Sequence, residues 1–426
     1  GDHRDLHLSI RRQRQMCIRD RALIIHKDFS MAKEYPPLKS VPGFSWLGIN
    51  LGIKDETPDF GVIASDCKCS AAGVFTRNNI PGAPVIIGRE HIQDGQLQAI
   101  VVNSKIANVA TGQSGIEDAK NMCRWTASSL GIAPEQVLPS STGVIGKRLP
   151  VEKIQTGCES IPEKLGSTPE HIENFARAIM TTDTNPKWGC ESIGNATLLG
   201  VAKGAGMIEP DMATMLSYFV TDASLSCELL QKMLDRVVNK SFNRISIDTD
   251  TSTSDTVIIL ANGLAGEVDA EKFEEAFTRI AVNLAKEIAR DGEGSKKLIE
   301  LTVSGAESQQ MALQIAKSII NSPLVKTAIH GADPNWGRFV MAVGKVFQYP
   351  VSLDELSIRF GSESQGMTVN AHNLDSSKVS LDAISKYLQN NEVQLEVTVG
   401  KGSFAETVWG CDLTKEYIEI NAFYTT

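Results

Sequence analysis

Lys203-Gly-Ala-Gly-Met-Ile-Glu-Pro-Asp-Met-Ala-Thr214-Met-Leu-Ser-Tyr-Phe-Val-Thr-Asp222 joins a glycine-rich turn to an apolar run that begins beside a threonine. Met215 to Val220 reads as a strand, and Thr214 taken alone is a strand threonine, because β-branched side chains favour strands. The small residues Gly204, Ala205, Gly206 and Ala213 permit close backbone approach and a strained peptide. A threonine hydroxyl is a poor nucleophile by itself, whereas a threonine whose own α-amine is free carries a base within reach. Cutting Ala213-Thr214 would free that amine.

Upstream of this stretch, Phe60 to Ala64, Gly73 to Thr76, Pro84 to Ile87 and Gln98 to Asn103 read as short strands. Ile116 to Leu130 is an amphipathic helix with Glu117 and Asp118 in its first turn and Gly131 placed to stop it; Thr168-Pro169-Glu170 caps a helix toward Ala178. Downstream the alternation repeats, with a helix from Cys227 to Phe242, strands over Arg244 to Asp248 and Thr256 to Ala261, and a helix from Ala270 to Ala289 capped by Asp269. Val393 to Val399 and Tyr417 to Ala422 read as closing strands. The pattern is that of a layered α/β protein, and with no low-complexity linker the two halves are expected to pack as one body.

With 426 residues, 42% of them hydrophobic and 22% charged, the chain has ordinary globular composition. Its net charge of -9 argues against a nucleic-acid or anionic-membrane surface and favours small-molecule partners. No apolar stretch has the roughly 18 to 20 residues that span a bilayer. Eight scattered cysteines, among them Cys67-Lys-Cys69 but no C-x-x-C pair, suggest buried thiols in a reducing compartment, with no metal site or disulfide framework. A cytoplasmic location is expected. Residues 1–30 differ from the rest, with seven basic residues against four acidic ones. They are read as a segment foreign to the fold, with Met31 as the true start; the alternative, a transit peptide to the mitochondrial matrix, is opposed by Asp2, Asp5, Asp20 and Asp28.

Phosphate-loop readings fail on spacing. Gly204-x-Gly206-x-x-Glu209 lacks a third glycine, Ser141-Thr-Gly-Val-Ile-Gly-Lys147 lacks the hydroxyl residue after lysine, and Gly292-Glu-Gly-Ser-Lys296 has the wrong order. His91, His171, His330 and His372 have no G-x-S-x-G elbow to serve. Hydroxyl residues cluster in Ser140-Ser-Thr-Gly143, Thr181-Thr-Asp-Thr184 and Asp248-Thr-Asp-Thr-Ser-Thr-Ser-Asp255, each of which alone would be a turn or a cap.

Taken together, Lys203-Gly-Ala-Gly-Met-Ile, Met212-Ala-Thr-Met-Leu216, Ser141-Thr-Gly-Val-Ile-Gly146, Met180-Thr-Thr-Asp-Thr184, Asp250-Thr-Ser-Thr253 and Gly331-Ala-Asp-Pro-Asn-Trp-Gly-Arg338 resemble the ornithine acetyltransferase / glutamate N-acetyltransferase family of arginine biosynthesis. Ala71-Ala-Gly-Val-Phe-Thr76, Asp291-Gly-Glu-Gly294 and Asn421-Ala-Phe-Tyr-Thr-Thr426 fit as well, so the resemblance runs from about Gly43 to Thr426. It implies layered mixed-sheet and helix domains, interleaved by both fragments of a precursor that cuts itself at Ala213-Thr214. Residues 31–213 and 214–426 would be those fragments, assembled as a heterotetramer of two of each.

The resemblance further implies a ping-pong reaction in which Thr214 takes acetyl from N-acetylornithine, releases ornithine, and passes the acetyl to glutamate to give N-acetylglutamate. No cofactor is implied, although some members accept acetyl-CoA as a co-substrate. The Thr142 hydroxyl and the Gly143 N–H would form the oxyanion hole. Thr184, Lys203, Thr214, Glu293, Asn421 and Thr426 would contact substrate, Lys203 as the cation for a carboxylate and Glu293 as the acid for an amine. A self-processing amidohydrolase or aminopeptidase, with water as acceptor, is the competing reading. Departures from the family pattern stand at Asn103-Ser-Lys-Ile-Ala-Asn108 and Asp248-Thr-Asp-Thr-Ser-Thr253, where Lys105 and Thr249 replace glycine. Loop geometry is in question there if φ is positive. The span from Thr184 to Lys203 is short, and Phe423 replaces a small or polar residue.

Overall fold

β7 (Leu216–Ser224) explains why the apolar run after Thr214 shows no alternation, for both of its faces are buried. Phe219 packs into a core with Phe242, in the turn that follows the helix Cys227–Lys240, and with Phe273 and Phe277 of the helix Ala270–Arg290. Tyr218 and Val220 point the other way, into a core with Trp46 and with Ile172 and Phe175 of the helix Pro169–Ala178. The rings meet edge-on: Phe219 and Phe277 lie 4.7 Å apart between centroids, Trp46 and Phe175 5.2 Å. Burial stabilises each such side chain by about 1.5–3 kcal/mol.

The computed structural model describes residues 37–209, 215–373 and 380–423. The leader 1–30, Ala213, Thr214 and Thr426 therefore lie outside the described residues. Leu38 to Thr426 form one compact unit, in keeping with the expectation of a single body.

Among the described residues, β1 (Phe44–Ile49), β2 (Phe60–Phe75), β3 (Gln96–Asn103), β4 (Val137–Ser141), β5 (Lys187–Ile193), β6 (Ala196–Lys203), β7 and β9 (Thr256–Glu267) form one sheet. Its order is β4-β3-β2-β9-β7-β6-β5, with β1 on β2. The pairs β3–β4 and β7–β9 are parallel, whereas β2–β3, β2–β9, β5–β6 and β6–β7 are antiparallel. A second mixed sheet, in the order β12-β11-β13-β10-β14-β8, contains β8 (Ile245–Ser246), β10 (Leu298–Ala306), β11 (Ser357–Phe360), β12 (Met367–Asn370), β13 (Glu392–Thr398) and β14 (Phe404–Cys411). It packs against the helices Gln309–Ile320, Gly337–Gly344 and Leu381–Leu388. The α/β expectation holds.

Several local readings need correction. Pro84 to Ile87 belongs to the helix Ala83–His91, where proline sits in the first turn and no N–H is missed there. Tyr417 to Ala422 lies in the helix Lys415–Phe423, which buries no side chain; Tyr417, Ile418 and Ile420 mimic a strand pattern only because solvent imposes no helical stripe. Phe60 to Ala64 and Gly73 to Phe75 are two parts of one strand, β2. The helix ending at Leu130 starts at Gly112, not Ile116, its opening hidden by poor helix formers. Thr168 precedes its helix as expected, yet its hydroxyl lies 2.7 Å from His171 Nδ1 and caps no backbone group. Asp269 does cap, accepting from the N–H groups of Glu271 and Lys272. The short Thr184 to Lys203 span is a hairpin, Ile193 facing Ala196 across Gly194-Asn195.

Candidate active site

Beyond the parallel ends of β3 and β4 the backbone ladder continues into two loops. Thr142 N–H donates to Asn103 O at 3.0 Å, Val144 N–H to Lys105 O at 3.0 Å, and Ala107 N–H to Val144 O at 3.0 Å. The Asn103 side chain closes the first loop on itself by donating to Ile106 O at 2.9 Å while accepting from Ser141 Oγ at 2.6 Å. Gly143 stands at φ 127°, and a Cβ there would lie 2.2 and 2.3 Å from the Lys105 carbonyl carbon and oxygen. Only glycine fits so close an approach. Lys105 itself has φ 79° and Thr249 φ 71°, so the left-handed backbone is present at both positions despite the side chains.

Across the site, charged side chains do the joining. The Asp183 carboxylate, buried, accepts from Lys187 Nζ at 2.7 Å, from Gly204 N–H at 2.6 Å and from Thr181 N–H at 3.0 Å. Lys187, 1% exposed, also donates to Asp291 Oδ2 at 2.6 Å. Asp291 in turn accepts from the Thr184 N–H at 3.0 Å and from the Thr184 hydroxyl. Two residues on, Glu293 N–H donates to Ala205 O at 2.8 Å, and the Glu293 carboxylate accepts from Asn421 Nδ2 at 2.6 Å. A Cβ at Gly206 would lie 2.4–2.6 Å from the Glu293 carboxyl atoms, so glycine makes room for that group. Asp248 accepts from the Met207 and Ile208 N–H groups, both at 2.7 Å, and from the Tyr417 hydroxyl at 3.2 Å, which ties the last helix to the turn after Lys203.

Lys203 ends β6 opposite Leu216, two residues past Thr214. Burial lowers its pKa, against the pull of Asp183 and Asp255. Burial also lifts the Asp255 carboxyl well above the usual range in spite of Lys203, while that carboxyl accepts the N–H of Met215, the residue after Thr214. For Asp183, burial would raise the pKa, but Lys187 and Lys203 outweigh it and hold the group at about 2. Lys54 donates to Met180 O at 2.7 Å and Pro58 O at 2.9 Å. Its own pKa is pushed down to about 8 by burial, opposed by Asp59 and Asp183 and reinforced by Lys203 and Lys105. Lys54 thus stands within electrostatic reach of both the Asp183 cluster and the loop against Gly143.

Thr184, Lys203, Glu293 and Asn421 are therefore brought together, while Thr142 and Gly143 stand on the β3–β4 loop pair, whose Lys105 acts electrostatically on Lys54 as Lys203 does. Sequence reasoning missed Lys187 and Lys54, which carried no motif, and quoted Asp183 and Asp255 within hydroxyl clusters without giving either carboxylate a role. Among the described residues no helix is long and apolar enough to cross a membrane, and no group of three His, Cys, Asp or Glu side chains is placed to hold a metal ion.

Fold and site together define an α/β protein in which loops from strand ends gather hydroxyl groups, close-packed glycines and buried ion pairs. The chain belongs to the ArgJ family, whose sequence profile matches residues 45–426. It is 50% identical to the arginine biosynthesis bifunctional protein ArgJ 2 of Clostridium acetobutylicum over 387 residues, 90% of this chain and 97% of that protein. It is 44% identical to a glutamate N-acetyltransferase of Streptomyces clavuligerus, covering 91% of this chain and 98% of that one. A crystal structure of the ornithine acetyltransferase of Mycobacterium tuberculosis complexed with ornithine matches 41% of this chain and 94% of its own at 32% identity, with a TM-score of 0.38.

Proposed function

We propose that the protein is an acetyltransferase of arginine biosynthesis that moves acetyl from N-acetylornithine to glutamate after cleavage of Ala213-Thr214. In the first half-reaction the Thr214 hydroxyl oxygen attacks the acetyl carbonyl carbon while the α-amine of Thr214, with an ordinary pKa of about 7.7–8.0, takes the hydroxyl proton. The tetrahedral oxyanion is held by the Thr142 hydroxyl and the Gly143 N–H. Its collapse breaks the carbon–nitrogen bond, the proton goes to the departing amine, and ornithine leaves acetyl-Thr214. The glutamate amine then attacks that ester, Thr214 recovers its proton, and N-acetylglutamate departs.

Lys203 binds the substrate carboxylate, Glu293 the amine, and Thr184, Asn421 and Thr426 complete the contacts. One observation carries the reading. Thr184, Glu293 and Asn421, from three distant parts of the chain, converge through Asp291 and the Asn421–Glu293 hydrogen bond, beside a Lys203 that pairs two residues past Thr214. By family resemblance we also assign a heterotetramer of two 31–213 and two 214–426 fragments, in the cytoplasm, with acetyl-CoA as a further acetyl donor.

The direct experiment runs purified wild type and Thr214→Ala on a denaturing gel and assays acetyl transfer from N-acetylornithine to glutamate. Wild type is expected as two fragments with transfer activity, and the variant as one inactive chain. A folded wild type that persists as a single band, or that only hydrolyses N-acetylornithine, sinks the reading. Acetyl-CoA and glutamate as sole substrates test the further donor.

A further inference from the structure

The Asp183–Lys187–Asp291 cluster contains the only side chains described above that touch all three segments of the amino-acid end of the site. Asp183 fixes the Gly204 N–H and thereby the turn after Lys203. Asp291 fixes both the N–H and the hydroxyl of Thr184 and stands two residues before Glu293. Among the described residues Lys187 alone joins the two carboxylates, at 2.7 and 2.6 Å, and its side chain is 1% exposed. Asp183 and Lys187 precede Ala213-Thr214 in the chain whereas Asp291 follows it, so the bridge also crosses from one prospective fragment to the other.

We propose that Lys187 is a positioning residue for substrate recognition: its ammonium clamps the Thr184 loop, the Gly204 turn and the Asp291–Glu293 turn in one register, setting the separation between the carboxylate-binding and amine-binding groups. The proposal rests on the acetyltransferase reading above. Without the ammonium, the buried Asp183 carboxylate and the partly buried Asp291 carboxylate face each other, and Asp183 keeps just the electrostatic pull of Lys203. An unpaired buried charge is expensive, so the turns move apart or take up water. The oxyanion side stands on backbone hydrogen bonds that Lys187 does not touch, so the chemistry at Thr214 stays while the grip on an amino acid is lost.

The test compares wild type with Lys187→Met using two acetyl donors. N-acetylornithine needs the amino-acid groups of the site; p-nitrophenyl acetate has neither amine nor carboxylate and reports only on Thr214 and its oxyanion donors. For N-acetylornithine a rise in KM that dominates a loss in kcat/KM of about 10²-fold is expected, the scale on which misplacement by an ångström acts. Acetylation of Thr214 by the ester, followed by intact-mass measurement, is expected to stay within about twofold, since no interaction made in its transition state has been removed. Equal losses with both donors, or no loss with either, overturn the proposal. Should Lys187→Met give no folded protein, Asp291→Ala carries the same test: it removes the acceptor of the Thr184 N–H, of the Thr184 hydroxyl and of the Lys187 ammonium, and the same selective rise in KM is expected. An unchanged KM in that variant overturns the proposal. A wild type that neither transfers acetyl nor forms the ester adduct instead refutes the acetyltransferase reading, and is told apart by that.

Discussion

The two sides of the site are held by different forces. At Thr142 and Gly143 the positions of the groups follow from main-chain hydrogen bonds between the loops after β3 and β4, closed by the Asn103 amide. At Lys203, Thr184 and Glu293 they follow from buried charges and from side-chain bonds to Asp183, Asp291 and Asn421. A backbone ladder is indifferent to pH and suits the oxyanion hole proposed there, whose geometry need not change between half-reactions. A charged cluster depends on protonation, and it can recognise donor and acceptor amino acids through the groups they share. Chemistry and recognition are therefore open to separate perturbation.

The largest effect is expected at the backbone side. Gly143→Ala must move the Lys105 carbonyl or twist the Gly143 peptide, and loss of one oxyanion donor lowers kcat by about 10²–10³-fold. Single-turnover acetylation of Thr214 checks it, and a kcat within a few-fold of wild type would break the contrast. Glu293→Gln, on the recognition side, is expected to raise KM for N-acetylornithine about tenfold with kcat changed far less, the mark of lost ground-state binding. Steady-state kinetics decide between the two patterns.

Acid should loosen the folded structure on one side only. Because the Asp183 pKa in the folded protein is depressed to about 2, below its ordinary value, the stability it contributes is complete above the usual carboxylate range and is lost as pH falls toward about 2. The melting-temperature advantage of wild type over Asp183→Asn should accordingly be level from neutral pH down to about 4 and shrink below it. An advantage that fades between pH values of about 7 and 5 would place the loss elsewhere.

The smallest effects concern strain. Lys105→Gly and Thr249→Gly are each expected to stabilise by about 0.5–1 kcal/mol in urea unfolding, less than the left-handed backbone costs because glycine also loosens the unfolded chain. The gain should be larger at Thr249, whose branched side chain suits positive φ worse. A loss of stability at Lys105 would show instead that its side chain supports the loop.

Much of this was legible in the sequence where composition and period agree. The helices ending at Leu130 and beginning after Asp269 carry stripes and end signals, and the run after Thr214 is apolar enough to name a buried strand. Pro84 to Ile87 misled because four apolar residues fit either period, and the last helix because exposure erased its stripe. Within the site, matched motifs gave Thr184, Glu293 and Asn421 but not what joins them. Lys187 begins a hairpin strand as an ordinary lysine would, and its partners lie 4 and 104 residues away. A lysine clamped between two carboxylates has no sequence signature, since one of them arrives only through tertiary packing.

β6 and β7 are antiparallel neighbours in the middle of a sheet, and the only covalent path between them runs through Ala213-Thr214. Severing that bond takes away the tether but none of the ladder, because β2, from the first piece, also lies against β9, from the second. The precursor's connectivity would thus work as a jig, needed to assemble the strands and dispensable once they are set. A processed protein that is fully unfolded should then regain its structure in a bimolecular, concentration-dependent step, whereas the uncut Thr214→Ala chain refolds by itself at any dilution.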